Sequence, residues 1–130
     1  MTWVLDTVAE FGRQLGIDNL GFESHGVLQL QMRSGALLAV EPGQRGQTAE
    51  VLVYLLRPAG HMAAHMLRKG LAKAHFRHGG SMPVQVATRG TGPDAMLLAL
   101  VRLPERSFTT QTLGQAVDYV GRWLDEVEAA

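Results

Sequence analysis

The sequence predicts an α+β domain in which helices pack on a mostly antiparallel sheet. Three separated segments carry apolar residues at helical spacing, and the segments between them alternate apolar and polar residues as strands do. Short turns join neighbouring strands, which favours antiparallel pairing. A chain of 130 residues fits one compact domain, residues 1–130. The predicted order is helix, three strands, helix, two strands, helix.

The first helix is predicted over residues 3–15, where apolar side chains recur every three or four residues. Thr2 is the expected cap of this helix, and Gly16 is expected to end it. Residues 27–33 alternate apolar and polar side chains, which predicts a half-buried strand. A short Ser-Gly hinge then returns the chain as a second strand over residues 36–41, so the two strands form a hairpin.

The third strand is predicted over residues 48–56, after a loop over residues 42–47 that is rich in Pro, Gly and Gln. A strand that is apolar on both faces must be covered on both, by a helix and a partner subunit or by two layers of its own chain. The two faces carry Val51, Val53 and Leu55 on one side and Leu52, Tyr54 and Leu56 on the other.

The second helix is predicted over residues 60–76, from the spacing of its apolar residues. Gly70 lies in its middle and is expected to weaken it. Two further strands, residues 82–88 and 95–103, are predicted to form a second hairpin around a glycine-rich loop.

The closing helix is predicted over residues 113–127, with Thr109 or Thr110 as its cap. We expect the helices to gather on one side of the sheet, which leaves the other face for something else. So many apolar strand positions in so short a chain predict association with another polypeptide, and the function is to be sought on the open face.

The composition excludes several classes of protein. Hydrophobic residues make up 46% and charged residues 18%, which is typical of a globular chain and not of a disordered one. No apolar run is long enough to cross a bilayer, and the start lacks the pattern of a secretory signal. The absence of cysteine excludes disulfides and thiolate chemistry, which fits a reducing cytoplasm. We therefore expect a cytoplasmic protein without a membrane span.

A histidine cluster is the strongest signal for a metal in the sequence. His61 and His65 lie four residues apart on one helical face, as two zinc ligands would. No Asp, Glu or Cys lies between Glu50 and Asp94, so a third ligand would have to come from His75 or His78. A solvated helix face is the simpler interpretation; we predict no metal, and a histidine-based metal-binding protein stays an alternative.

Signatures of catalysis are missing from the sequence. It contains no G-x-S-x-G nucleophile motif, and its glycine pairs are not followed by the Lys-Ser or Lys-Thr of a phosphate-binding loop. Nothing in the pattern shows two carboxylates converging as an acid and a base. We therefore predict no enzymatic activity and no cofactor.

Charge is distributed unevenly although the net charge is zero. A basic surface can bind nucleic acid, but such domains are usually basic overall and carry stacking aromatics, and here aromatics are 6%. A small nucleic-acid-binding module stays an alternative, and a surface complementary to an acidic protein is preferred. The basic middle segment, residues 51–93, holds Arg57, Arg68, Lys69, Lys73, Arg77 and Arg89 with no acid, whereas the tail holds Asp118, Asp125, Glu126 and Glu128.

Four short strings, in this order and spacing, resemble one known family. They are MTW at residues 1–3, FGRQLG at 11–16, QLQMRSGAL at 29–37 and ERSFT at 105–109. With the chain length and the element order, they resemble the small class I chaperones of bacterial type III secretion, most closely the SycN-type subunits. The resemblance covers nearly the whole chain, and none of the strings is a catalytic signature.

The resemblance implies a cytoplasmic chaperone, peripheral at the secretion apparatus, that dimerises and keeps the N-terminal segment of a secreted protein extended. SycN-type subunits pair with a YscB-type chaperone as a heterodimer and hold a YopN-type gatekeeper, although a homodimer is also open. An extended client could add its backbone to a sheet edge and place apolar side chains beside the first helix. The predicted client-binding residues are Val4, Val8, Phe11, Leu28, Leu30, Met32, Leu38 and Val40.

The same resemblance places the subunit contact on the second helix and the later strands. Chaperones of this kind are usually acidic, whereas this chain is neutral with a basic middle, which favours an acidic partner and a heterodimer. Reversing the charge of Lys69 and Lys73 is expected to weaken that assembly. The predicted interface residues are Met62, Met66, Leu67, Lys69, Lys73, Val84, Val86, Met96 and Leu98.

Overall fold

A computed structural model describes residues 2–15, 28–31, 35–75 and 82–130. The predicted order of helices and strands is confirmed. The helices are α1 (Thr2–Gln14), α2 (Ala63–Lys73) and α3 (Thr110–Ala129), and the strands are β1 (Leu28–Gln31), β2 (Leu37–Arg45), β3 (Thr48–Pro58), β4 (Gln85–Arg89) and β5 (Met96–Pro104).

The five strands form one antiparallel sheet in the order β1-β2-β3-β5-β4. The first three strands are neighbours in sequence and in space, as the hairpin prediction requires. The second hairpin joins the sheet through β5, which pairs with β3 over nine residues from Met96 to Pro104, so β4 lies at the edge.

The prediction of a loop over residues 42–47 is wrong for residues 42–45. Strand β2 continues to Arg45, and only Gly46 and Gln47 form the turn to β3. Pro42 is tolerated inside this strand because the described residues of β1 pair only with residues 37–40 and need no N–H from Pro42. Gly46 has a φ of 58°, which favours glycine at the turn.

The first turn of α3 has the predicted cap. The hydroxyl of Thr109 accepts a hydrogen bond from the backbone N–H of Thr112 at 3.1 Å. The hydroxyl of Thr112 accepts one in return from the Thr109 N–H at 2.8 Å, so the two side chains form a capping box. The predicted end of α1 at Gly16 lies outside the described residues.

Gly70 has a packing reason for its place inside α2. A Cβ built on Gly70 would lie 3.0 Å from Val86 Cγ2 and 3.5 Å from the ring of Trp123. The helix therefore approaches β4 and α3 more closely than a larger residue would allow, and this contact offsets the low helix propensity of glycine.

All three helices lie on one face of the sheet, as expected. One apolar cluster combines buried residues of α1 and α3, partly buried residues of α2 and every second residue of the central strands. Its fully buried side chains include Leu38, Val53, Leu97, Leu113 and Leu124. The opposite face holds a second apolar cluster made of strand residues alone. Among the described residues, no helix is long and apolar enough to cross a membrane.

Candidate functional site

The face of the sheet opposite the helices is the candidate functional site, and we call it the free face. Strand alternation places its residues, since neighbours such as Leu56 and Leu98 or Tyr54 and Leu100 lie opposite each other across β3 and β5. Its apolar centre consists of Leu37, Ala39, Leu52, Tyr54, Leu56, Met96, Leu98 and Leu100.

The centre of the free face contains fully buried side chains. Ala39 and Leu56 are 0% exposed, although the described members of their cluster are all strand residues. The larger side chains around them, such as Leu52, Leu98 and Leu100, are only partly buried and form the outer layer. The face therefore presents a continuous apolar surface that a further protein layer could still bury.

Tyr54 carries a polar group within this apolar centre. Its side chain is buried, and burial is the main cause that raises the pKa of the Tyr54 hydroxyl above its usual range. The hydrogen bond to Glu41 raises this pKa further, whereas the Arg89 guanidinium lowers it. The phenol therefore stays protonated and can donate to the Glu41 carboxylate, so a buried hydroxyl has partners within its own chain.

A second polar group lies at one end of the free face, beside Leu52 and Leu100. Arg102 Nη1 donates to Glu50 Oε2 at 2.8 Å, and Arg102 Nε donates to Gln85 Oε1 at 2.8 Å. The three side chains come from β5, β3 and β4, so the group crosses three neighbouring strands. The Glu50 side chain is 10% exposed and the Arg102 side chain 31% exposed.

An apolar centre with polar side chains around it is the usual composition of a protein–protein interface. Met96 and Leu98, two of the predicted interface residues, lie on this face. Tyr54, Leu100 and Arg102 were not among the predicted site residues. The alternation of residues 52, 54 and 56 already indicated an apolar second face, and the same alternation extended along β5 would have added Leu100 and Arg102.

The other predicted interface residues lie on the helix side or beside it. Met66, Leu67, Val84 and Val86 pack in or against the helix-side cluster. Met62 precedes α2 and is 55% exposed. The structure thus divides the predicted interface between two surfaces, and its role in subunit contact stays a prediction.

Lys69 and Lys73, the predicted charged part of the interface, have partners in their own chain. Lys73 Nζ donates to the Glu126 carboxylate, and Lys69 Nζ donates to the backbone oxygen of Ala130 at 2.6 Å. Both contacts join α2 to the end of α3. The basic segment and the acidic tail, separated in the sequence, therefore meet in the fold.

Arg57 on β3 extends this contact between the basic segment and the tail. Its Nη1 lies 2.6 Å from Asp125 Oδ1 and 3.4 Å from Glu128 Oε2, and its Nη2 donates to the Gly121 oxygen at 3.1 Å. Three of the six basic residues of the segment are thus engaged by α3. The surplus of positive charge on which the expectation of an acidic partner depended is smaller than the sequence indicated.

The predicted client-binding residues lie mostly inside the helix-side core. Leu30 packs partly buried against the same core, the Leu28 side chain is not described, and Met32 lies outside the described residues. In this conformation the chain itself covers most of the set, and a client-binding role stays a prediction. The buried members are Val4, Val8, Phe11, Leu38 and Val40, which are 0–7% exposed.

A metal site is not formed by the residues that the structure describes, since these contain no group of three or more His, Cys, Asp or Glu side chains placed to hold an ion. His61 and His65 lie on the exposed side of α2 and its preceding turn, and His78 lies outside the described ranges.

The fold and its free face can be compared with known proteins. The family model described as Type III secretory system chaperone SycN matches residues 3–128. The chain belongs to this family. It is 28% identical to the chaperone protein SycN of Yersinia enterocolitica and 28% identical to that of Yersinia pseudotuberculosis, each over 130 residues that cover 99% of both chains. The resemblance noted in the sequence is confirmed.

Solved structures of similar fold include a type III secretion chaperone and a chaperone-effector complex. The Yersinia pestis type III secretion chaperone SycH, solved with a stable fragment of YscM2, has a TM-score of 0.67 at 14% identity and covers 95% of this SycN-family chain and 98% of its own. The HopA1-SchA chaperone-effector complex has a TM-score of 0.64 at 15% identity, and the match covers 100% of this chain and 98% of the solved one. The ExsC-ExsE complex has a TM-score of 0.64 at 12% identity, and the match covers 98% of this chain and 90% of the solved one. The predicted chaperone-like α+β fold is confirmed.

Proposed function

We propose that this type III secretion chaperone pairs with a second chaperone subunit through its free face, and that the pair holds the N-terminal segment of a secreted client extended before export. The second subunit is a YscB-type chaperone and the client a YopN-type gatekeeper, in line with the SycN family. The chain acts by binding, in the cytoplasm, without catalysis of its own.

The free face is the observation that carries this proposal. Its centre is as apolar as a domain core, yet among the residues that the structure describes the cluster consists of strand residues only. Burying such a surface against another protein contributes roughly 25 cal/mol for each Å² of apolar area. Polar side chains on the same face, among them Glu41, Arg89 and Arg102, would give the contact its orientation.

Binding of a client is supported by α1 and by the solved relatives. Leu5 is 36% and Leu15 52% exposed, so this helix offers apolar side chains beside the buried client-binding set. The solved structures of SycH, SchA and ExsC each contain a second protein, and SchA is described with an effector. A client segment would lie along α1 and pair its backbone with an open sheet edge.

The test is co-expression of the chain with a YscB-type subunit and measurement of the complex by size exclusion with light scattering. Leu98→Arg places a charge in the centre of the free face and is expected to lower the affinity at least 100-fold, because a charge buried without a partner is costly. Gln115→Arg, on the exposed side of α3, is the matched control and should pair normally.

Two results would overturn the proposal. One is a wild-type chain that stays monomeric with every chaperone subunit offered. The other is Leu98→Arg assembling as tightly as Gln115→Arg. A complex of two copies of this chain would keep the free face as the interface but replace the YscB-type subunit by a homodimer.

A further inference from the structure

Arg102, Glu50 and Gln85 form a polar group at a position where apolar side chains would be expected. It lies at the end of an apolar surface, and both Arg102 and Glu50 project from the free face. Glu50 is the only buried polar or charged residue among the described ones. Its carboxylate is held by Arg102 at 2.8 Å, so the guanidinium is fixed in position before any partner arrives.

Affinity alone does not explain a charged pair at this position. Replacing a buried ion pair by apolar residues of similar size is often neutral or stabilising, because the pair must be removed from water. Leucines at both positions would extend the apolar surface from Leu52 and Leu100 to the end of the sheet. A surface selected only for tight association would therefore not need the pair.

Covering Arg102 imposes a chemical requirement on the partner. A guanidinium carries five N–H donors. Gln85 engages Nε and Glu50 engages Nη1, whereas Nη2 has no acceptor among the residues that the structure describes. A subunit that covers Arg102 removes water from Nη2, and an unsatisfied buried donor is costly. A carboxylate is the strongest acceptor for a guanidinium, so a fitting subunit supplies a carboxylate at this point.

A second copy of the same chain is poorly suited to supply that oxygen. In the part of the chain that the structure describes, the acidic residues that the strands carry on the free face are Glu41 and Glu50. Glu50 accepts a hydrogen bond from Arg102, and Glu41 interacts with the Tyr54 hydroxyl, whose pKa it raises. A second copy would have to break one of these contacts to satisfy Arg102, whereas a chaperone of different sequence could carry a free carboxylate there.

We propose that Arg102, held by Glu50 and Gln85, is the specificity-determining residue of the free face. It selects a subunit of the same fold and different sequence that presents a carboxylate opposite its guanidinium, and it disfavours pairing with a second copy. The inference rests on the proposed pairing function, because it assigns a role within that contact.

The experiment compares pairing with self-association in one set of variants. Glu50→Leu with Arg102→Leu removes the pair without leaving a lone charge. Arg102→Gln removes the positive charge but can still donate a hydrogen bond to Glu50. It replaces the double variant in the experiment if the double variant folds poorly. Glu10→Leu with Arg13→Leu is the matched control, because it removes an exposed pair on α1, which packs on the opposite face of the sheet.

Self-association is measured by analytical ultracentrifugation of the chain alone, and pairing by titration calorimetry with the YscB-type subunit. The double variant is expected to self-associate at concentrations at least tenfold lower than the wild type and to bind the other subunit at least tenfold more weakly. Arg102→Gln should show the loss of pairing, and the control pair should change neither quantity.

The outcomes separate this inference from the proposal on which it rests. If both Arg102 variants pair and self-associate like the wild type, while Leu98→Arg abolishes pairing, the free face is the interface but Arg102 does not select the partner. If Leu98→Arg also pairs normally, the free face is not the interface and both proposals fail.

Discussion

The two faces of the sheet differ in what covers them, and neighbouring residues of one strand show it. Leu97 on β5 is 1% exposed within the cluster that the three helices share. Leu98, the next residue, points to the free face and is partly buried, and the described residues of its cluster all come from strands. Both faces are apolar, so apolar character by itself does not distinguish a core from an interface. The layer that covers the side chain does.

The largest expected effect uses this pair of leucines. Leu97→Ala is expected to lower the free energy of unfolding by about 3 kcal/mol, because it leaves a cavity beneath the helices. Leu98→Ala should cost about 1 kcal/mol in the isolated chain, because its side chain is less buried, but should weaken the complex with the second subunit. Urea unfolding followed by circular dichroism measures the first quantity, and calorimetric titration the second.

Equal losses of stability in these two variants, with normal pairing of Leu98→Ala, would remove the distinction between the faces. The free face would then be part of an ordinary core, closed well enough by its own side chains. Leu98→Met keeps most of the volume and is the control for pairing, since it should bind the second subunit nearly as the wild type does.

The distinction between the faces was partly predictable from the sequence. Alternation along residues 51–56 showed that β3 is apolar on both sides, and helical periodicity located the helices that cover one side. The error at residues 42–45 arose because Pro and Gly usually mark loops. Pro42 fits a strand here because the described residues of β1 pair only with residues 37–40, and this register is a property of the assembled sheet.

Contacts between distant residues were not predictable in the same way. Glu50 and Arg102 are 52 positions apart, and they meet only because β5 rather than β4 pairs with β3. The sequence predicts a hairpin of the last two strands but does not show which of them joins the sheet. The pairing of Arg57 and Lys73 with α3 likewise depends on the packing of helices, so the sequence indicated a free basic surface.

A second prediction compares two glycines, one on each face of the sheet, that lie close to a neighbouring side chain. Gly70 on the helix side would meet Val86 at 3.0 Å, and Gly43 on the free face would meet Leu52 at 3.0 Å. Gly70→Val is expected to destabilise the chain by about 2 kcal/mol, because Val86 and Trp123 leave no room to move. Gly43→Val should change stability by less than about 1 kcal/mol, because the partly buried Leu52 can turn toward the open side.

Thermal and urea unfolding of the two glycine variants measure this difference. Ala72→Val, on the exposed side of α2, controls for the effect of a β-branched residue on the helix itself. A Gly43→Val variant as unstable as Gly70→Val would mean that the side chains of the free face are as firmly packed as those beneath the helices.

The smallest expected effect concerns the charges of the two faces. Lys73 and Glu126 form a pair on the helix side whose side chains are 30% and 64% exposed, whereas those of Arg102 and Glu50 are 31% and 10% exposed. A double-mutant cycle on the free energy of unfolding should give a coupling energy of about 0.5 kcal/mol for Lys73 and Glu126. In 1 M salt this coupling energy should fall close to zero, because the Debye length is then only about 3 Å. The Arg102–Glu50 coupling should be larger and keep most of its value in salt, since a sheltered carboxylate is screened less. If salt removed both coupling energies equally, Glu50 would be as accessible to ions as Glu126. Glu50 would then not hold Arg102 in a fixed position for a partner.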